Sequence, residues 1–338
     1  MEYNVGMDVQ NVLSLYPTPF PTAVAVAWNT NGFSGAEIWR VQLDGAGQGG
    51  TYCLRAWPPG GVSQEQLSFI HGVLRRMVLK GENRVPPPIE AQSGETFVYW
   101  QQRFWELVPW MPGRADFHND PRPEKLLAAL TALAEIHVAA GDYPCPGVGQ
   151  GGSPGLADRC LRLQALLAGD ADRLAGAVHP GRWPDAARIA WRLIDGFRRA
   201  APRLAPLLES AARVGVPLQA VLADIQHDHV LFTGQQVTGI VDFGSMRVDS
   251  VAADIARLLG SMVGDDRACW QAGLDAYQRV RPLTPQEALL TEAFDRSTVL
   301  MAGMNWIDWV FRQGRQFGDP QAVLTRMQEI ARRLDRLQ

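Results

Sequence analysis

Four side chains able to work on a phosphate or a metal ion stand in one short stretch, residues 218–260: Asp224, Asp228, His229 and Asp242. Asp224 opens the polar loop Asp224-Ile225-Gln226-His227-Asp228-His229 directly after an apolar segment, so its carboxylate is expected where a buried strand or helix ends. Val230-Leu231-Phe232 and Val237-Thr238-Gly239-Ile240-Val241 are β-branched or aromatic runs joined by Thr233-Gly234-Gln235-Gln236, which predicts two strands and a tight turn. Such a hairpin hands the chain back to where it began, and Asp242, heading Asp242-Phe243-Gly244, is expected beside Asp224. Converging carboxylates suit a hard divalent cation, which takes oxygen ligands, and suit a base that receives a hydroxyl proton. Phosphoryl transfer from a nucleotide uses both. A hydrolytic metal centre built on His227-Asp228-His229 is the rival chemistry. It would need further ligands, and the other four histidines (71, 118, 137 and 179) lie on unrelated segments.

An acid before a strand-ending glycine is ordinary turn chemistry by itself; the hairpin, the offset from Asp224 to His229 and the amphipathic run after Asp242 make the pattern specific. Together they resemble the catalytic and metal loops of the protein-kinase-like fold, most closely the aminoglycoside phosphotransferase family of small-molecule kinases. In that family a His-Gly-Asp step is followed by a metal-binding Asn, a hairpin and a second metal-binding Asp. The resemblance implies that Asp224 is the catalytic base, that Asp242 is the metal aspartate with His229 at the Asn position, and that Asp254 is the later acid opening the next helix. Two positions depart: Leu222 stands where the family has His, and His229 where it has Asn. Imidazole nitrogen suits magnesium less well than an amide oxygen does, so Asp228 is the alternative second ligand. ATP with magnesium, and manganese as well, is the expected cofactor set. A pseudokinase that binds nucleotide or a partner without turnover is the alternative these departures favour.

The elements that must position these groups are readable along the chain. Residues 24–28 and 36–43 alternate like strands, and the loop between them, with Gly32 and Ser34, would cover nucleotide phosphates through close backbone approach. The next strand, 51–57, carries Arg55, which by position resembles the family's phosphate-contacting lysine. Ser63 is expected to cap a helix through Lys80 whose one carboxylate, Glu65, either pairs with Arg55 or complements the helix dipole. Residues 96–100 and 103–108 read as a hairpin. The segment from Phe104 to Gly113 resembles the linker between kinase lobes, where adenine would meet the backbone near Leu107 and Trp110. Residues 123–140 have helical periodicity, 141–155 read as a Gly/Pro-rich linker without structure of its own, and 157–214 as helices broken at Pro180, Pro184 and Pro202. Helices are also expected from Ala268, from Thr284-Pro285 and from Pro320. The expected architecture is an α+β, two-lobed kinase-like fold: a β-rich N-lobe over 1–108 and a helical C-lobe over 109–338.

Composition narrows the function. The 338 residues are 46% hydrophobic and 20% charged with a net charge of −3, which argues for a globular chain and against nucleic acid as a partner. No run approaches the roughly 18 apolar residues of a membrane span, and the first residues do not read as a secretory signal. Four cysteines (53, 145, 160 and 269) have no paired spacing, which fits a reducing cytoplasm. Between Gly151 and Gly215 ten arginines face six acids, so a polycationic acceptor is disfavoured there and a neutral or anionic small molecule is favoured. Acceptor identity and oligomeric state are left open.

Overall fold

A strand needs a covered face before it is worth forming, and in the computed structural model the N-terminal helix α1 (Val5–Leu13) provides that cover. The structure describes residues 5–28, 35–43, 50–181 and 183–337; Gly32 and Ser34 lie outside the described residues. The chain divides into two compact units, Met1–Cys145 with Asp228–Gly244, and Pro146–His227 with Ser245–Gln338.

The first unit begins with α1 and strands β1 (Val24–Trp28), β2 (Glu37–Gln42) and β3 (Thr51–Ala56), then α2 (Gln64–Leu79), β4 (Val98–Trp100), β5 (Arg103–Pro109) and α3 (Pro123–Ala140). The five strands form one antiparallel sheet in the order β1-β2-β3-β5-β4. Period-two alternation places Trp39, Val41, Leu54, Ala56, Trp105 and Leu107 on its buried side against Val9, Val12 and Leu13 of α1. Trp39 and Trp105 stack there with centroids 5.2 Å apart. Ser63 caps α2 as its type foretells, accepting from the Gln66 amide. The β4–β5 turn is closed by Gln101 and Gln102, both at positive φ, as the right-handed twist of a two-residue hairpin requires.

The second unit starts with a segment the sequence misrepresents. Residues expected to be an unstructured linker form β6 (Gly149–Gly152), paired antiparallel with β7 (Gly215–Val221), and α4 (Pro154–Ala165) follows at once. Glycines enter this strand because backbone comes close: a Cβ on Gly152 would lie 2.8 Å from the Ala212 carbonyl oxygen. After a wide turn (Leu166–Asp170) and α5 (Ala171–Ala177), α6 runs unbroken from Pro184 to Ala212, so the break expected at Pro202 does not occur. Pro184 sits harmlessly in the first turn. Pro202 and Pro206 lie inside, at a cost of about 3 kcal/mol each; the buried stripe Ile189, Leu193, Ile194, Phe197, Leu204 and Leu208, at roughly 1.5–3 kcal/mol per side chain, outweighs it.

The chain then passes through a single helical turn, His227–His229, into the hairpin β8 (Val230–Thr233) and β9 (Gln236–Ile240), which belongs to the first unit. Its register shifts between Leu231 and Phe232. The main chain of Arg114 pairs with Phe232, and Gly113 can have no side chain there: its φ is 103° and a Cβ would fall 2.5 Å from Thr238 Oγ1. The second unit resumes with β10 (Arg247–Asp249), which pairs with β7, then α7 (Ala252–Val263), α8 (Arg267–Gln278), α9 (Pro285–Ile307) and α10 (Pro320–Arg336). Thr284 and Glu287 close a reciprocal capping box on α9. Met301, Met304 and Trp306 are buried, as expected of a core stripe. The architecture is α+β, an antiparallel sheet followed by a mostly helical remainder. No helix among the described residues is long and apolar enough to cross a membrane.

Candidate active site

One face of α7 holds the loop that follows β7. Asp254, Arg257 and Ser261 recur at helical spacing, so they project side by side. Asp254 is wholly buried, and its two oxygens accept the backbone amides of Leu222 and Ala223, each at 2.7 Å. Arg257 donates Nε to Asp224 Oδ1 at 2.8 Å, and Ser261 Oγ accepts the His227 amide at 2.9 Å. Losing Asp254 would strand two donors and a buried loop, so it is the brace of this segment. Leu222, where the resemblance has histidine, is packed in the core. Asp254 was anticipated as the acid opening α7; Arg257 was not, and its signal was the one-turn spacing from Asp254.

The same loop holds a departure that the sequence reading overlooked. Ala223 occupies the glycine place of the His-Gly-Asp step and has a φ of 66°. An L-residue in this left-handed region costs about 1–2 kcal/mol, which is why glycine suits the position. Asp242 is likewise left-handed, with a φ of 64°, and strain of this kind gathers at functional positions.

In the first unit, Asp242 lies in a chain of charged contacts that starts in the sheet. Arg55 on β3 faces Glu106 on β5 as a direct cross-strand pair, with Nε 3.5 Å from Glu106 Oε1 and Nη1 3.5 Å from Asp242 Oδ1. Its guanidinium lies 5.1 Å from the Trp57 ring centroid. Gly244, of the Asp-Phe-Gly step, is small because Trp57 comes against it: a Cβ would meet the indole at 2.6 Å. The acid paired with Arg55 is therefore Glu106, and Glu65 is not its partner. Glu65 is exposed in the first turn of α2, and a hydrogen bond from its own amide, with one from Ser63, holds its carboxyl below the usual value. The missed signal was a lone acid within the apolar run Phe104-Trp105-Glu106-Leu107.

Glu106 is buried and meets a second group that the sequence did not flag. Nε2 of buried His71, on α2, donates to Glu106 Oε2 at 2.7 Å, while its Nδ1 lies 2.7 Å from Thr96 Oγ1. Burial alone would push the Glu106 carboxyl up; the His71 hydrogen bond and the Arg55 charge outweigh it and hold the group below its ordinary value of 4.5. A carboxyl lowered on folding contributes stability that is present above its unfolded value and is lost as pH falls through the folded one. The melting temperature of Glu106→Gln should therefore decline less steeply than wild type between about pH 6 and pH 3. Identical acid limbs would remove Glu106 from this balance.

Asp228, His229 and Asp242 meet in the same unit: His229 Nε2 lies 3.6 Å from Asp228 Oδ1 and 3.7 Å from Asp242 Oδ2. Both carboxylates are half-exposed, whereas His229 Nδ1 is buried without a hydrogen-bond partner. Among the described residues no group of three or more His, Cys, Asp or Glu side chains is arranged to hold a metal by itself. A donor set of two carboxylates fits a hard cation that takes its remaining oxygens from water and phosphate. Of the linker residues, Leu107 is buried with its carbonyl accepting the Ile89 amide, and the Trp110 amide donates to Thr51. The Trp110 ring packs edge-on to Trp28, 5.1 Å between centroids, with the Arg40 guanidinium 5.4 Å away.

Comparison with known proteins agrees with this fold. A family model described as the phosphotransferase enzyme family matches residues 30–290. A homoserine kinase of Methylobacterium nodulans is 34% identical over 243 residues, covering 70% of this chain and 67% of that protein. Among solved structures, an aminoglycoside phosphotransferase from Alicyclobacillus acidocaldarius is similar with a TM-score of 0.64 at 17% identity, covering 97% of this chain and 92% of the other. An amicoumacin kinase in complex with AMP-PNP, Ca2+ and Ami gives a TM-score of 0.64 at 13% identity over 98% of this chain and 94% of its own.

Proposed function

The chain belongs to the phosphotransferase enzyme family, and from that premise we propose that it carries the γ-phosphoryl group of ATP to the hydroxyl of a small amino-acid alcohol of the homoserine kind. It is an ATP-dependent kinase of small molecules; the acceptor, the ion and the residue roles are our reading. The kinase names of its relatives disfavour a nucleotide-binding protein without turnover.

Asp224 receives the proton of the acceptor hydroxyl as its oxygen attacks phosphorus. The observation that carries this role is the way the loop is held: Asp254 fixes the two preceding amides and Arg257 one carboxylate oxygen, while the Asp224 side chain stays 47% exposed. A base must be oriented yet reachable, and Asp224 is both. Asp242, with Asp228 or His229, holds a divalent cation, magnesium or manganese. Bound with the nucleotide, that cation would neutralise charge on the phosphate oxygens. Arg55, oriented by Glu106, would contact the phosphates; backbone near Leu107 and Trp110 would meet the base, and Gly32 and Ser34, outside the described residues, keep the phosphate-covering role expected from the sequence.

The test is acceptor-dependent ADP release by the purified protein with ATP, magnesium or manganese, and L-homoserine or related amino alcohols. ADP should appear in step with phosphorylated acceptor. Mg-ATP at about 100 times its dissociation constant should also stabilise the fold by roughly 2.7 kcal/mol. Absence of both effects would sink the proposal.

A further inference from the structure

Guanidinium nitrogens left over once the nearby carboxylates are engaged call for an anion from elsewhere, and the second unit holds three arginines of this kind, 159, 247 and 257, on α4, β10 and α7. Arg159, on α4, is half-buried with Nη1 held by neutral acceptors: the Phe294 carbonyl, Ser297 Oγ and Thr298 Oγ1, at 2.6–2.7 Å. Its guanidinium stacks on Phe294, 4.8 Å from the centroid. Arg247 lies beside Gly155: a Cβ there would fall 2.3 Å from Asp249 Oδ2, 2.4 Å from Arg247 Nη2 and 3.3 Å from Phe294 Cε1, so the glycine leaves room for the Arg247–Asp249 pair. Arg247 opens β10 opposite Val221, the last residue of β7 and three positions before Asp224. Arg257 is the third.

The carboxylates near these cations are already engaged. Asp249 accepts from Ser153 Oγ and the amides of Gly155 and Ser250, and Asp295 is bound to Arg333. Arg247 reaches Asp249 at 3.3 Å and exposed Asp158 at 3.6 Å, while its buried Nε has no hydrogen-bond partner. Burial first, then the charges of Arg257 and Arg247, push the Arg159 guanidinium down to about 10, the response of a cation among cations. Arg257 binds Asp224 through Nε alone; its two terminal nitrogens carry no hydrogen bond among the described residues, and the side chain is 22% exposed. A guanidinium anchored by Nε presents its Nη pair as a planar fork, the geometry that receives a carboxylate bidentately.

We propose that Arg257, with Arg247 and Arg159 supplying positive charge behind it, is the receptor for a carboxylate on the acceptor, so that the enzyme selects hydroxy acids over amino alcohols that lack the acid. This rests on the kinase reading and deepens it. Because one guanidinium touches both Asp224 and the carboxylate, it fixes the span between the proton-receiving oxygen and the acceptor's anion. Compounds whose hydroxyl lies a few bonds from a carboxylate fit that span.

L-homoserine and 3-amino-1-propanol make a matched pair, since the second is the first without its carboxylate. Wild type should favour homoserine in kcat/KM by at least about 30-fold, the worth of a charge-assisted hydrogen-bond pair. Arg257→Gln should lower kcat for both compounds, because Asp224 loses its partner, while raising KM for homoserine alone, so the ratio collapses toward unity; Arg257→Lys should restore only part of it. Titration calorimetry of homoserine into wild type and Arg257→Gln, each loaded with a non-hydrolysable ATP analogue and magnesium, reads binding apart from turnover. Binding to wild type that the variant loses supports the receptor even if no phosphate moves, an outcome that would sink only the kinase reading. Equal use of the two compounds by wild type, an unchanged ratio in Arg257→Gln, or no homoserine binding to wild type overturns the proposal.

Discussion

Asp224→Asn is expected to lower kcat by about 10² to 10⁴-fold, the contribution of a positioned general base, while ATP binding survives. The amide keeps the size of the carboxylate and can still accept the Arg257 Nε–H, so the loop held by Asp254 should stay in place. What disappears is the capacity to take a proton. Nucleotide affinity rests on other residues in the proposed scheme, so the loss belongs in kcat and not in the dissociation constant of Mg-ATP. Steady-state kinetics beside a nucleotide titration separates the two. A variant that keeps most of its turnover on the true acceptor would remove Asp224 from the role of base.

Asp242→Ala is expected to abolish metal-dependent nucleotide binding, an effect visible without any acceptor as the loss of the stabilisation given by Mg-ATP. Asp242 supplies a carboxylate directly after the β9 hairpin, 3.5 Å from the Arg55 guanidinium and 3.7 Å from His229 Nε2. The second ligand is decided by the same assay. If His229 ligates through nitrogen, manganese should support activity better than magnesium, and His229→Asn should shift the preference back. If Asp228 ligates, Asp228→Ala carries the large loss and substitution at 229 leaves metal preference alone. Full activity in both variants would exclude both from the metal site.

The architecture was legible wherever local signals agree with packing. The helix at 123–140, the cap at Ser63 and the 230–240 hairpin follow from periodicity, cap and turn chemistry, and the acid of α7 from the family resemblance. Segments 149–152 and 202–206 misled because glycine and proline announce breaks locally, whereas the outcome was set by non-local contacts: a neighbouring carbonyl against Gly152, and a long buried stripe along α6. Asp224, Asp228, His229 and Asp242 stand out by type and spacing. Their supports do not, because Glu106, His71 and Arg257 act through contacts across strands or turns, and only register reveals that Glu106 faces Arg55. Ala223 was invisible for another reason: its peculiarity is a backbone angle, which an alanine does not advertise.

Ala223 and Asp242 share that angle but would fare differently under laboratory evolution. Each holds an L-residue in the left-handed region at about 1–2 kcal/mol, against a net stability of about 5–15 kcal/mol for an ordinary domain. A selection for heat resistance alone would enrich glycine at both positions. At 223 the exchange removes one methyl group and leaves the amide that Asp254 holds, so the gain is compatible with activity. At 242 the same exchange deletes the carboxylate itself. Selection for survival on heating and selection for turnover would thus agree at one strained residue and diverge at the other, and the divergence would mark which of the two carries function.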